Sequence, residues 1–131
     1  MGFRLKTSKE TKEIFEKLDN SINLKPFALC KVAMSLSLKN PSDVKDYSND
    51  INGLELNRQT ITAEHDIMFK VLMENHAKKH LSDDDYFPKY TKWHIDRGAK
   101  MLESKIKYYG NLEQFIKNMI SGDDKDYDLS R

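Results

Sequence analysis

A chain of 131 residues with 38% apolar and 33% charged side chains can build one domain with a modest core, and it is too polar for a deep sandwich. A formal net charge of +1 excludes a protein that coats nucleic acid through overall basicity. The layout of charge says more than its sum: eight Lys/Arg stand against four Asp/Glu in residues 1–40, three against seven in 41–75, nine against six in 76–120, and two against four in 121–131. A polyanion would meet the ends of the folded part and avoid its middle. The single cysteine, Cys30, cannot form an internal disulfide and sits in an apolar helical pattern, as a small buried hydrophobe does in a reducing compartment. With no secretory signal, no apolar run near ~20 residues and no myristoylation pattern after Gly2, a cytoplasmic protein without a membrane span is expected.

Phe3-Arg4-Leu5-Lys6-Thr7 alternates apolar and basic residues, the period of a short strand, with Phe3 and Leu5 inward and Arg4 and Lys6 outward. Five residues cannot stand alone as a strand, so a partner strand is needed. The same strand of a second subunit is the most economical partner, giving a homo-oligomer; coverage of that edge by a later loop would allow a monomer. Thr7 with Glu10 reads as a capping box, and Ile14, Phe15, Leu18 and Ile22 set a first helix over about 8–20. Pro26 suits the first position of a second helix whose inward stripe is Leu29, Val32, Ala33 and Leu36, and Asn40-Pro41 ends it.

Residues 41–56 read as a long acidic loop, of the length that is usually functional or mobile. Ile61, Ile67, Met68, Val71 and Leu72 predict a helix from Arg58 to His80, the longest of the chain. Tyr90, Trp93, Ile95, Met101, Leu102 and Ile106 predict a fourth, and Leu112, Phe115, Ile116 and Met119 a fifth after the Gly110-Asn111 stop. One mainly α domain over 1–122 is expected, with a ribbon-helix-helix-like core of a short strand and two helices, about three further helices, and a flexible acidic tail over 123–131.

A strand-and-helix-pair start is a known recipe for DNA binding, which makes Arg4 and Lys6 on the strand candidates to meet phosphates. Lys25 stands beside the free N–H groups that open the second helix, where charge and helix dipole act together on an anion. Lys9, Lys12 and Lys31 extend this candidate set, although Glu10, Glu13 and Glu16 are interleaved with them as on an ordinary solvated face. In Gly53-Leu54-Glu55-Leu56-Asn57-Arg58 the reading is structural: Gly53 turns the chain, Glu55 pairs with Arg58, and Asn57 caps the third helix. His76 and His80 stand four apart on one expected helix face, but His-Ala-Lys-Lys-His lacks the glutamate of the zinc-protease motif. Trp93 and Tyr90 read as core anchors. No catalytic residue, metal or cofactor is expected, since the chain holds no Gly-rich phosphate loop, Cys-x-x-Cys pair or local nucleophile–base set.

Across residues 3–120 the chain resembles the DndE family of DNA phosphorothioation (sulfur modification) proteins. The landmarks are the N-terminal strand and helix, Leu24-Lys25-Pro26-Phe27-Ala28-Leu29-Cys30-Lys31 running into Ala33 and Ser37-Leu38, then Gly53-x-Glu55-x-Asn57-Arg58-x-Thr60, and His94-x-x-Arg97-Gly98. The resemblance implies a small, mostly helical protein that tends to assemble as a tetramer, where the lone strand suggests a dimer, and that binds DNA, preferring nicked duplex, through surface lysines. It also implies Dnd sulfurtransferase and ATPase components as partners. A ribbon-helix-helix repressor that reads an operator, and an adaptor for protein partners without DNA binding, are the alternatives.

Overall fold

A helix rich in charged residues lies at the centre of the molecule. The structure, a computed structural model, describes residues 3–109, in the order β1 (Arg4–Lys6), α1 (Lys9–Ile22), α2 (Pro26–Lys39), β2 (Glu55–Asn57), α3 (Arg58–Ile61), a 3-10 turn (Ala63–His65), α4 (Asp66–Ala77), a one-turn α5 (Asp83–Asp85), a π-helical segment (Tyr86–Thr91) and α6 (Lys92–Tyr109). The expected fifth helix and acidic tail lie outside the described residues. Every residue from Tyr90 to Ala99 is buried, including Lys92, His94, Asp96 and Arg97. Such burial is tolerable only because each polar group finds partners on the surrounding elements.

Those partners also fix how the helices run. Thr11 bonds Asp96 and Lys17 pairs with Glu103, so α1 lies parallel to α6. Ser37 bonds His94 and Gly98 lies against Ala33, so α2 runs antiparallel to it. Asp66 meets Tyr86, Met73 meets Thr91 and His76 meets His94, which sets α4 alongside the π-helical segment and the start of α6. Phe15, Leu29, Met34, Phe87, Ile95 and Leu102 fill the space between, each fully or almost fully buried. Each contributes about 1.5–3 kcal/mol relative to exposure.

The fold is mainly helical and opens with a short strand and two helices, as expected. Several details differ. The cap of α1 is Ser8, whose hydroxyl accepts from the Thr11 amide, because Thr7 is engaged elsewhere: its hydroxyl accepts from the Leu54 amide at 2.8 Å. The strand β1 pairs antiparallel with β2 of the same chain, Leu5 opposite Leu56, so the end of the long loop supplies the strand that β1 needs. Leu5 is buried, but Phe3 precedes the strand and is 57% exposed.

The helix expected over 58–80 is broken at its start. Ala63 adopts a φ of 45°, and the chain turns around a bidentate ion pair between Arg58 and Asp66, with Nε–Oδ1 3.0 Å and Nη2–Oδ2 2.7 Å. Glu55 is therefore not the partner of Arg58; it pairs with Arg4 across the two strands. The helix ends at Ala77 with Lys78 in the left-handed region, so His80 lies beyond it and pairs with Glu74 instead of sharing a face with His76. The longest described helix is α6, with 18 residues.

Candidate nucleic-acid interface

The loop of residues 41–54 is held along most of its length by α6 and by the start of α1. Arg97 forks into its beginning, donating to the carbonyls of Ser37 (2.7 Å), Asn40 (3.1 Å) and Ser42 (2.6 Å) and to the Ser37 hydroxyl (2.8 Å). Val44 is fully buried, and the Trp93 indole N–H donates to the Ser48 carbonyl at 3.0 Å. Asp50 accepts the Lys9 amide and the Asn52 amide, which together hold its carboxyl below the usual carboxylate range. Gly53 donates to the Thr7 carbonyl, and a Cβ there would collide with the Ser8 carbonyl oxygen; only glycine permits this approach.

Beneath the loop, Asp96 accepts from the Ser8 amide (3.1 Å), the Thr11 hydroxyl (2.7 Å) and the Lys92 ammonium (2.6 Å). Lys92 is thereby neutralised inside the fold. Arg58 is anchored by Asp66 and Asp83, and Asn57 caps α3 by accepting the Gln59 amide at 2.8 Å. Burial alone would raise the Asp66 carboxyl; hydrogen bonds from Arg58, Thr62 and Tyr86 outweigh it and hold the group low. The residues that carried the resemblance are thus the joints of the scaffold: Gly53, Asn57, Arg58, His94, Arg97 and Gly98 each fix one element against another.

The six basic residues singled out in the sequence divide into two groups. Arg4 and Lys6 point outward from β1, and Lys9 opens α1 beside the loop, all at one end of the molecule. Arg4 is partly neutralised by Glu55 at 3.2 Å, with both side chains more than half exposed. Lys25 precedes α2, beyond the far end of α1, and Lys31 lies two turns into α2. A 14-residue helix is about 21 Å long, so Lys25 stands roughly that distance from Lys9 along the axis. Lys12 lies between, half-buried on α1.

What the sequence did not reveal is a cleft of about 400 Å³ at the loop end, where Lys45, Lys79 and Lys89 come together from three segments around Tyr90 and Trp93. Lys79 lies 5.6 Å from the Tyr90 ring centroid and Lys89 3.4 Å from Asp85. A second hollow of about 210 Å³, lined by Arg4 and Lys6, adjoins it; Ile51, Pro88 and Lys92 line both. Lys45 and Lys89 are separated by 44 residues in sequence, and the positive sum over 76–120 pointed toward Lys79 and Lys89 but not toward Lys45 in the acidic block.

Among the described residues no group of three or more His, Cys, Asp or Glu is arranged to hold a metal ion. His94 is buried, and burial first, then His76 and Arg97, lower its pKa to about 3, so it is a neutral structural group. Burial likewise raises the Cys30 thiol far above its ordinary range.

A model of the family described as DNA sulphur modification protein DndE matches residues 4–109, from the first residue of β1 to the last of α6. The chain belongs to the DndE family. A crystal structure of DndE from Escherichia coli B7A, involved in DNA phosphorothioation modification, has a similar fold, with a TM-score of 0.64 at 19% sequence identity over 76% of this chain and 95% of that chain. No curated protein matches the chain. Among the described residues no helix is long and apolar enough to cross a membrane.

Proposed function

We propose that this chain is a non-catalytic, DNA-binding accessory subunit of a DNA phosphorothioation system, which grips the sugar-phosphate backbone and presents duplex or nicked DNA to the Dnd sulfurtransferase and ATPase components. The observation that carries the reading is the pair of adjoining hollows whose cations, Arg4, Lys6, Lys45, Lys79 and Lys89, lie on a scaffold of the DndE family. Lysines on loops and helix ends suit phosphate contacts, which position a duplex without reading its sequence. The strands contribute no amide side chain to the hollows, so base-specific readout has little support. A ribbon-helix-helix repressor needs strands paired between subunits, and β1 is already paired with β2.

Mobility-shift titrations of intact, nicked and single-stranded DNA over a salt series test the proposal, with binding expected to weaken steeply as salt rises. No binding, or binding indifferent to salt, overturns it. Charge reversal separates the two basic groups: Lys45→Glu with Lys79→Glu is expected to reduce affinity more than Lys25→Glu with Lys31→Glu, all at unchanged solution mass.

The adaptor reading has one specific observation in its favour. On α4 the side chains of Ile67, Met68, Val71 and Leu72 are 80%, 50%, 48% and 41% exposed, a contiguous apolar face that shares no residue with the cation-lined hollows. Co-purification with Dnd partners in the presence of nuclease isolates that reading from DNA bridging.

A further inference from the structure

Ile51 is an apolar side chain that the fold holds rigidly in a place where it stabilises nothing. It is 55% exposed at the crest of the loop, yet the backbone on both sides of it is fixed. Before it the Ser48 carbonyl is held by Trp93, the Ser48 hydroxyl lies 3.4 Å from the Lys92 ammonium, and Asp50 accepts the Lys9 amide; after it the Asn52 amide donates to Asp50, and the Gly53 and Leu54 amides donate to the Thr7 carbonyl and hydroxyl. The same loop buries Val44 fully and leaves Ile51 in solvent.

The surroundings of Ile51 define what it faces. Together with Pro88 it forms the wall shared by the two hollows, with Arg4 and Lys6 on one side and Lys45, Lys79 and Lys89 on the other. Carboxylates are present, but Glu55 is occupied by Arg4 and Asp85 by Lys89; the remaining Asp46 shares the larger hollow with Lys45 and Lys79, and Lys6 lines the smaller one. Among the described residues those three lysines are engaged in no ion pair, so the positive sign prevails on both sides of the ridge. An apolar ridge between two cationic hollows complements a polyanionic strand that carries flat apolar groups between its charges. A protein surface or a free nucleotide would use one hollow and leave the other empty.

Resting on the DNA-binding reading above, we infer that Ile51, backed by Pro88, is a wedge for DNA: the backbone crosses the ridge with phosphates seated in both hollows, and the isoleucine enters a base step and unstacks it. Apolar wedges flanked by basic side chains act in this way on steps that are already loose. The ridge thereby selects deformable or interrupted duplex over stiff, continuous duplex, while the lysines supply affinity without selection.

The test uses the full chain and a duplex carrying 2-aminopurine at a central pyrimidine–purine step, whose fluorescence rises when the base is unstacked. Wild-type protein is expected to raise the signal on binding. Ile51→Ala, an exposed substitution whose fold is checked by circular dichroism, is expected to bind within about threefold of wild type and to lose the rise, because it keeps the phosphate contacts. Lys45→Glu with Lys79→Glu is expected to lower affinity at least about tenfold and to reduce the salt slope by about two. Wild-type binding without a fluorescence rise, or a rise that survives Ile51→Ala, overturns the wedge and leaves the DNA-binding reading standing. Failure of folded wild type to bind DNA at all removes both.

Discussion

Buried His94 and its half-buried neighbour His76 show how one ring nitrogen can set a protein's behaviour with pH. Arg97 Nε donates to the Ser37 hydroxyl, so that hydroxyl donates in turn to His94 Nδ1 at 2.8 Å, and the ring proton of His94 lies on Nε2. His76 Nε2 lies 2.6 Å from the Asn40 carbonyl and must carry its proton to donate there, which leaves its Nδ1 an acceptor. The two nitrogens without a protein partner, His94 Nε2 and His76 Nδ1, are thus a donor and an acceptor on rings whose centroids are 4.8 Å apart. Protonating His94 would bury a charge beside Arg97, which is why its pKa falls from 6.5 to about 3. The folded value is the lower one, so the unfolded chain takes up the proton first, and stability present above pH 6.5 is lost as pH falls toward 3. The carboxylates held low, Asp50, Asp66 and Asp83, act below their ordinary 3.8, and the shift that acts above them is that of His94. Urea melts are expected to show roughly 2 kcal/mol less stability at pH 5 than at pH 7. An unchanged stability over that interval contradicts this assignment.

At the scale of elements, the crossing of α2 and α6 depends on the absence of one carbon atom. Gly98 lies in the middle of α6, where alanine would be favoured by about 1 kcal/mol on helix propensity. Its Cβ would collide with the backbone of Ala33, which cannot rotate away as a side chain can. Overpacking costs about 1–3 kcal/mol, so the clash outweighs the propensity, and Gly98→Ala is expected to be destabilised in denaturant titration despite being the better helix former. This scale also shows which parts of the fold were legible. Pro26 and Asn40-Pro41 marked the ends of α2 correctly because proline acts locally, through a fixed φ and a missing N–H. The break after α3 was not legible, because it is made by Arg58 reaching Asp66 and Asp83, and no local periodicity records such a reach. The partner of β1 was left between a second subunit and the loop; it is β2, 51 residues on, and a three-residue strand is too short to announce itself. The buried run 91–99 was partly read from Trp93 and Ile95, while the burial of its lysine, histidine, aspartate and arginine rests on partners that include residues distant in sequence.

For the molecule as a whole, near-neutrality and the proposed DNA-binding end are compatible because binding responds to the local field over roughly a Debye length, about 8–10 Å, and not to the net charge. The three cleft and strand lysines without ion pairs set the scale of the expected salt effect. Three phosphate contacts give a log–log slope near −2.7, so affinity is expected to fall roughly 40-fold between 50 and 200 mM salt. A slope near zero in a filter-binding or anisotropy titration would contradict contact through these residues. Of the candidate site, the sequence showed Arg4 and Lys6 by strand alternation, but the ammonium groups opposite them come from residues 45, 79 and 89, and only the folded loop makes them neighbours.

The loop that brings them together also leaves the molecule with an optical gauge. The chain has one tryptophan, and its indole N–H is bonded to the Ser48 carbonyl while the ring forms part of the cleft wall. Emission from that single chromophore therefore reports on the strap above it: a DNA strand settling into the cleft is expected to alter the intensity, and unfastening the strap, as by Gly53→Val, to shift the spectrum to the red as water reaches the ring. Stopped-flow traces of this signal time the seating of the polymer without any attached dye.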